Sequence, residues 1–309
     1  MMNFPPLAGG ENMTAIALKK KEEPERAGGK TRLKNHFALR LFKNKIAFIS
    51  LLFLVFVHIA VFIGPFFWTI HPEKIDPQHV LSGFSAKHPL GTDELGRDVL
   101  SRLLHGGRIT LLVGFFAMLC TIFVGSFIGA VAGYFGGWLE ALLMRIIEAM
   151  MAIPNFFLAL IALTVLGNSP VMVVLVIALT SWMEIARIVY GETLKWKAQE
   201  FVEASVVAGA SSFWTLFRHI LPQIYPTIIV SGTLSIAGSI LTESAISYLG
   251  LGIQPPTPTW GNMLQNAQQY IWTNPSLGFV PGAAITLVVL AYNFLGDGMR
   301  DALDPRYKR

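Results

Sequence analysis

The chain has 309 residues, 53% of them hydrophobic and 14% charged. Its 28 glycines raise the apolar share to roughly three-fifths, above the about 45–50% of soluble domains. The length would accommodate two soluble domains, but the apolar residues fall in long blocks rather than at core periodicity, which excludes a water-soluble globule.

In chain order, residues 1–45 read as a basic tail, followed by uncharged runs Ile46–Trp68, Ile109–Leu139, Ala149–Met183, Ile220–Thr242 and Ser244–Gly296. A membrane helix needs about 20 apolar residues to cross roughly 30 Å of hydrocarbon. The first, second and fourth runs are each one span. The third divides at the turn signal Gly167-Asn168-Ser169-Pro170, giving one helix from Ala149 and another from Val171 to about Tyr190. The fifth ends a helix at Gly250, Gly252 and prolines 255, 256 and 258, and a last span follows Pro281 to Leu295. The expectation is an all-α membrane protein of six transmembrane helices.

Basic residues enrich cytoplasmic loops. Ten of the 24 precede Ile46, four lie between Glu184 and Arg218, four follow Gly296, and Arg145 is one more. The other five, in the first long connection, are balanced by five acidic residues. Both termini are therefore expected to be cytoplasmic. The net charge of +5 reflects this asymmetry and contact with lipid headgroups, not nucleic acid. The polar first 45 residues and the long run behind them do not read as a cleaved signal peptide. The lone Cys120, inside span 2, reads as a packing residue, with no disulfide or Cys-based metal site.

Catalytic patterns are missing. Gly28-Gly29-Lys30-Thr31 matches the end of a Walker A loop, but its first glycine position is Pro24 and no strand precedes it. The seven histidines show no ligand spacing, and no nucleophile sits beside a base. Arg145 with Glu148, and Glu184 with Arg187, are spaced to pair on one helix face each. Glu243 lies deep in an apolar stretch with no nearby cation, so it either lines a path as a gate or bonds between helices. Gly125, Gly129 and Gly133 form a small face for close helix packing.

The segment from Phe201, FVEASVVAGASSFWTLFRHILP, carries apolar residues at Val202, Val206, Phe213 and Phe217, close to one helical face. Glu200 and Glu203 suit a helix start, Ala204, Ala208, Gly209 and Ala210 make a low-relief surface, and Pro222 marks entry to span 5. Such a helix fits the groove of another protein, or lies on lipid. The outer segment HPLGTDELGRDVLSR, His88–Arg102, has turn residues Pro89 and Gly91, an N-cap at Asp93, an Asp98–Arg102 pair and an apolar stripe of Leu95, Val99 and Leu103. It reads as a short surface helix before span 2. ESAISYLGLGIQPPTPTWGNML, Glu243–Leu264, ends a helix, runs extended, and puts Tyr248 and Trp260 at interface depth.

Glu203, Ala204, Ser205, Gly209, Ala210, Leu221 and Pro222 resemble the EAA loop of ABC importer permeases. The departures are Ser205 where alanine is common and His219 at an aliphatic position. The outer segment, with His88, Gly91, Thr92, Asp93, Gly96, Arg97 and Asp98, and the second, with Glu243, Gly250, Gly252, Pro255, Pro256, Trp260 and Gly261, are similar to the C-type permease of dipeptide, oligopeptide and nickel ABC importers. The ending NFLGDGMRDALDPR, Asn293–Arg306, fits the same family.

That resemblance implies a type I importer permease fold: the tail 1–45, a first span with its outer loop and surface helix over 46–105, and a five-helix core over 106–309 with a coupling loop at about 191–222. It implies no cofactor in this chain, with ATP and Mg2+ on two partner ATPase subunits. It further implies a second homologous permease and an extracytoplasmic solute-binding protein, in a prokaryotic plasma (inner) membrane. The coupling loop would meet the ATPases, the outer segments would face the binding protein, and peptides would be the cargo. Nickel-chelate or other small-solute import is the alternative within the family. A self-sufficient secondary transporter or channel is the alternative outside it, and an intramembrane enzyme has no nucleophile-base pair to support it.

Overall fold

The computed structural model describes residues 40–303. The tail before residue 40 and the last part of the Asn293–Arg306 motif, residues 304–306, lie outside them.

Five helices are long and apolar enough to cross a membrane, and a pair bent by 85° brings the number to six if it is counted as one span. The elements are α1 (Lys45–Phe67), α2 (Val99–Phe135), α3 (Gly137–Met151), α4 (Asn155–Leu166), α5 (Pro170–Lys197), α6 (Glu200–Val207), α7 (Ser212–Thr215), α8 (Leu221–Tyr248), α9 (Trp260–Ala267) and α10 (Ser276–Leu303). No strand occurs among the described residues, as expected where backbone groups must be satisfied within each spanning segment.

α2 is the axis of the bundle. Its 37 residues extend about 55 Å at 1.5 Å per residue, well beyond a bilayer core. One end meets residues 68–98, hereafter the cap end; the other meets α6 to α8, the loop end. α2 packs along α5 through Gly125, Gly129 and Gly133. A Cβ built on Gly129 would stand 2.3 Å from the Ala186 carbonyl oxygen, and one on Gly125 2.6 Å from that of Trp182. The glycine face is thus a packing face within the chain. On its other sides α2 meets α8, where Gly114 faces Ile240 and Gly232 faces Ile122. α1 is a peripheral helix whose buried residues Ala47, Ser50, Leu54 and Val61 form one stripe. That stripe packs on α10, where Gly298 abuts Ala47, while Phe56, Phe66 and Phe67 remain exposed on its outer face.

The span boundaries differ from those read off the uncharged runs. The second span starts at Val99 rather than Ile109, because Arg102 and Arg108 are carried inside the helix. The third is not one helix from Ala149: residues up to Met151 belong to α3, and α4 leaves at 85° after Ala152-Ile153-Pro154. Pro154 has no N–H and disfavours helical geometry at Ile153, so the ladder stops and restarts with Phe157 N–H bonding the Pro154 carbonyl at 3.0 Å. The sixth begins at Ser276, with Pro281 tolerated and buried inside it. Arg145 pairs with Glu148 at 3.2 Å, but Glu184 and Arg187 do not pair. Arg187 reaches instead toward Met151 Sδ at 3.7 Å, across the gap left by the bend.

Gly129→Leu should cost more than the about 1–3 kcal/mol of ordinary overpacking, since the obstructing atom is backbone. The expected result is loss of the monodisperse, heat-stable peak of the detergent-solubilised protein, with Gly191→Leu, whose Cβ meets nothing within 4 Å, as the harmless control.

Candidate functional site

At the cap end, residues 76–98 fold as a compact loop and 99–102 as the first turn of α2, rather than as the expected separate surface helix. Thr92 and Asp98 form an isolated antiparallel bridge, Asp93 N–H bonds the Arg97 carbonyl at 3.0 Å, and Val99 N–H bonds that of Gly91 at 3.1 Å. Gly96 is required here: its φ is +76°, and a Cβ would fall 1.9 Å from the Asp76 carbonyl oxygen. The helix N-cap is therefore Asp98, not Asp93. Asp98 Oδ1 accepts from Ser101 N–H at 2.7 Å and from Trp68 Nε1 at 2.9 Å, while His88 Nδ1 lies 2.8 Å from Oδ2. One buried carboxylate thus ties the end of α1, the loop and the start of α2.

Asp93 has a different task. Its Oδ1 accepts from the N–H groups of Leu95 at 3.0 Å and Arg97 at 2.9 Å, and Oδ2 pairs with Arg97 Nε at 2.7 Å. Arg97 also bonds Glu94 at 2.6 Å. The expected Asp98–Arg102 pair does not form; Arg102 lies 3.4 Å from Asp93 instead, because Asp98 is already committed to capping. Thr92 Oγ1 donates to the His79 carbonyl and accepts from Ser82 N–H. At Asp76 partial desolvation opposes ionisation, yet His79, the Gln78 N–H and Lys87 outweigh it and hold the carboxyl below its ordinary value.

Beside the cap, residues 249–267 form an elbow between α8 and α10. Gly250 adopts φ +77°, and a Cβ on Gly252 or Gly261 would lie 2.2 Å from Ser247 Oγ or 2.6 Å from the Ser244 carbonyl oxygen. The Pro255–Pro256 peptide is cis. Thr259 and Asn262 complete a capping box at the start of α9, and Asn262 Nδ2 also bonds the carbonyls of Thr257 at 2.8 Å and Ile253 at 3.2 Å. Trp260 is not at an interface: it is 2% exposed, wedged against Gly107, and its Nε1 donates to the Leu103 carbonyl at 2.9 Å.

Glu243 lies under this elbow with 0% exposure. Its oxygens accept from Ser247 at 2.8 Å, Thr110 at 3.1 Å and Ser244 at 3.4 Å, and Thr110 Oγ1 in turn accepts from Trp260 N–H at 3.3 Å. Of the two readings of Glu243, the geometry matches the bond between helices: in this conformation it touches no open path. Thr110, Ser247, Asn262 and Trp68 were not expected from sequence, since each is an ordinary polar or aromatic residue until folding brings it to its partner.

At the loop end, Glu200–Pro222 does not form one helix. α6 ends at Val207, the chain turns at Gly209 with φ +88°, and Ser211 caps α7 by accepting from Trp214 N–H at 3.3 Å. The small residues expected at the centre of a helix are the break itself. From Leu216 the chain makes a π-type turn, with Leu221 N–H bonding the Leu216 carbonyl, consistent with Pro222 having no N–H to offer. Val202 is buried against Leu216 and Ile220, whereas Val207 is 89% exposed, Phe213 64% and Trp214 58%. Ala204, Ser205, Ala208 and Gly209 lie between these groups, so the loop presents an apolar knob split by a glycine turn. Lys197 Nζ anchors the preceding helix by donating to the Tyr134 carbonyl at 2.7 Å. Among the described residues no group of three His, Cys, Asp or Glu side chains could hold a metal ion.

Residues 125–309 match the binding-protein-dependent transport system inner membrane component family, and residues 35–85 match the N-terminal transmembrane domain of oligopeptide transport permease C. The chain is similar to the dipeptide transport system permease protein DppC of Alkalihalophilus pseudofirmus, 38% identical over 87% of this chain and 88% of the relative. It is likewise 39% identical to the glutathione transport system permease protein GsiD of Pectobacterium atrosepticum, over 81% and 88% of the two chains. With the oligopeptide transport system permease protein OppC of Haemophilus influenzae it shares 36% identity over 86% of each. The chain belongs to the binding-protein-dependent transport system inner membrane component family, and is a multi-pass inner-membrane permease subunit of an ABC transporter.

Substitutions at Asp98 and Glu243 probe the cap and elbow. Asp98→Ala removes an N-cap worth about 1 kcal/mol and two further buried bonds; the summed loss should reach about 2–4 kcal/mol, read as a lowered Tm, while Lys87→Ala, breaking an exposed 3.7 Å pair, should cost under about 1 kcal/mol. Glu243→Gln, which keeps one of the two acceptor oxygens, should lose less Tm than Glu243→Leu. Glu243→Leu, which strands the hydroxyls of Thr110 and Ser247, should lose about 1–3 kcal/mol per stranded group.

Proposed function

We propose that this chain forms half of the translocation path of an ATP-driven importer of peptides, loaded by an extracytoplasmic solute-binding protein. What supports the cargo is that relatives covering more than four-fifths of this chain are named for dipeptide, glutathione and oligopeptide transport. What supports the coupling role is the exposed knob of Val207, Phe213 and Trp214 around Gly209, apolar surface at the loop end that a protein partner would bury.

In this reading the termini and the loop end are cytoplasmic, and the cap end is extracytoplasmic. Two ATPase subunits hold ATP and Mg2+ and hydrolyse it; this chain contributes no catalytic group. Closure of the ATPase pair pushes on Glu203, Ala204, Ser205, Gly209 and Ala210, and Leu221-Pro222 carries the displacement into α8. A second homologous permease completes the path. His88, Gly91, Thr92, Asp93, Gly96, Arg97 and Asp98 shape the cap toward the binding protein. Gly250, Gly252, Pro255, Pro256, Trp260 and Gly261, anchored by Glu243, shape the outer gate. Here Glu243 acts by holding the elbow, since its carboxyl is wholly enclosed by hydroxyls.

The test is Gly209→Arg in the intact importer. The position has open space but a φ of +88°, so the substitution perturbs the knob without a clash inside the chain. The expected outcome is normal insertion and assembly, with ATP-dependent uptake of labelled di- and oligopeptides reduced at least about tenfold, equivalent to about 1.4 kcal/mol of lost coupling. Normal uptake by the variant would overturn the coupling assignment, and uptake of nickel but not peptide by the parent would overturn the cargo.

A further inference from the structure

Arg108, in the third turn of α2, is exposed. Arg97 and Arg102, nearer the cap, meet carboxylates, whereas among the described residues no carboxylate pairs with Arg108. Its guanidinium lies instead over the Phe62 ring of α1, 5.7 Å from the centroid. That ring is held from the loop-end side, where His58 stacks on it at 6.2 Å and 14°. His58 is itself fixed: Nδ1–H donates to the Leu54 carbonyl at 2.7 Å, and Nε2 accepts from the Tyr292 hydroxyl at 3.2 Å. Side chains of α1 and α10 thus build a platform under one cation.

The helices also set its depth. Lys45 is the last charge before the apolar run of α1, and from it to Phe62 the helix climbs about 26 Å at 1.5 Å per residue, against roughly 30 Å of hydrocarbon. Arg108 stands beside Val61, since a Cβ on the adjacent Gly107 would lie 2.8 Å from Val61 Cγ1. Helical side chains lean toward the N-terminus, which in α2 is the cap end, so the guanidinium reaches the boundary between hydrocarbon and headgroups. The surface around it is apolar: Phe115, Leu119 and Phe123 continue the Arg108 face of α2, and Ile59, Ile63 and Phe66 are exposed on α1. An ionised group at the edge of such a surface calls for an anion.

We infer that Arg108 binds the phosphate diester of a phospholipid in the leaflet at the cap end, with the acyl chains lying along the Phe115–Phe123 face. Phe62 takes one face of the guanidinium, which leaves its N–H edge for two phosphate oxygens. The membrane presents phosphate at this depth and apolar chains directly below it, matching the order of charge and aromatic side chains down α2. The site needs only that the chain spans a bilayer, and it is independent of the cargo.

The test uses the intact importer, stripped of lipid in detergent and titrated with phosphatidylglycerol, with bound lipid counted by native mass spectrometry. Arg108→Gln should weaken one lipid adduct at least about tenfold without changing the assembled mass. Phe62→Leu, which keeps the surface apolar, should weaken the same adduct, and Arg145→Gln, at the exposed pair with Glu148, should leave it unchanged. Equal lipid binding by the parent and Arg108→Gln would overturn the inference, as would displacement of the adduct by excess inorganic phosphate, which would mark a free-anion site. A cryo-EM map of the importer in a nanodisc containing phosphatidylglycerol should place headgroup density about 3 Å from the Arg108 Nη atoms. A carboxylate of another subunit in that place would refute the lipid.

Discussion

Where Gly125, Gly129 and Gly133 of α2 meet α5, backbone lies against backbone, and at Gly129 even a methyl group would come within 2.3 Å of a carbonyl oxygen. In lipid there is no hydrophobic force between helices to hold them together, so association rests on close van der Waals contact over a face free of side chains. That contact fixes α5 along α2, and the rest of the bundle is arranged around the pair. α8 packs on α2 through Gly114 and Gly232, α10 on α8 through Gly296, and α1 on α10 through Gly298. A chain of small-residue contacts therefore runs from the middle of the bundle to its edge.

The two ends of this bundle are built on opposite principles. At the cap end a buried cluster of charges is paired: Asp98 with His88 and, through a hydrogen bond, Trp68, Asp93 with Arg97, Arg97 with Glu94. Buried pairs of this kind contribute little net stability but are costly to break, so they define one geometry. At the loop end apolar groups are exposed instead, with Val207 and Trp214 facing out around a glycine turn. The enclosed Glu243 joins α2, α8 and α9 just inside the cap, where movement of α8 would be felt by the elbow.

Much of this was legible in the residues. The uncharged runs located the five long apolar helices and the region of the bent α3–α4 pair, and Gly125, Gly129 and Gly133 announced a packing face before any partner was known. The motifs around Glu203, Asp93 and Glu243 marked the segments that fold into the loop, cap and elbow. Their internal geometry was not legible. Asp93 and Asp98 are both good N-cap residues, and only the position of Trp68 and His88 makes Asp98 the cap. Trp260 has the composition of an interfacial residue, yet Gly107 opens a slot that takes its ring into the core.

Composition and charge scarcity alone determined that the chain is a membrane protein of about six helices, because hydrocarbon tolerates few charges and sets a minimum span length. Short-range backbone rules likewise ended helices near Gly167, Gly250 and the prolines. Tertiary structure alone decided which charged groups pair and why Arg187 turns from Glu184 to Met151. The reason is physical: local sequence fixes backbone preferences over a few residues, whereas a buried charge is matched by whatever donor or acceptor the packing brings within about 3 Å, often from a distant helix.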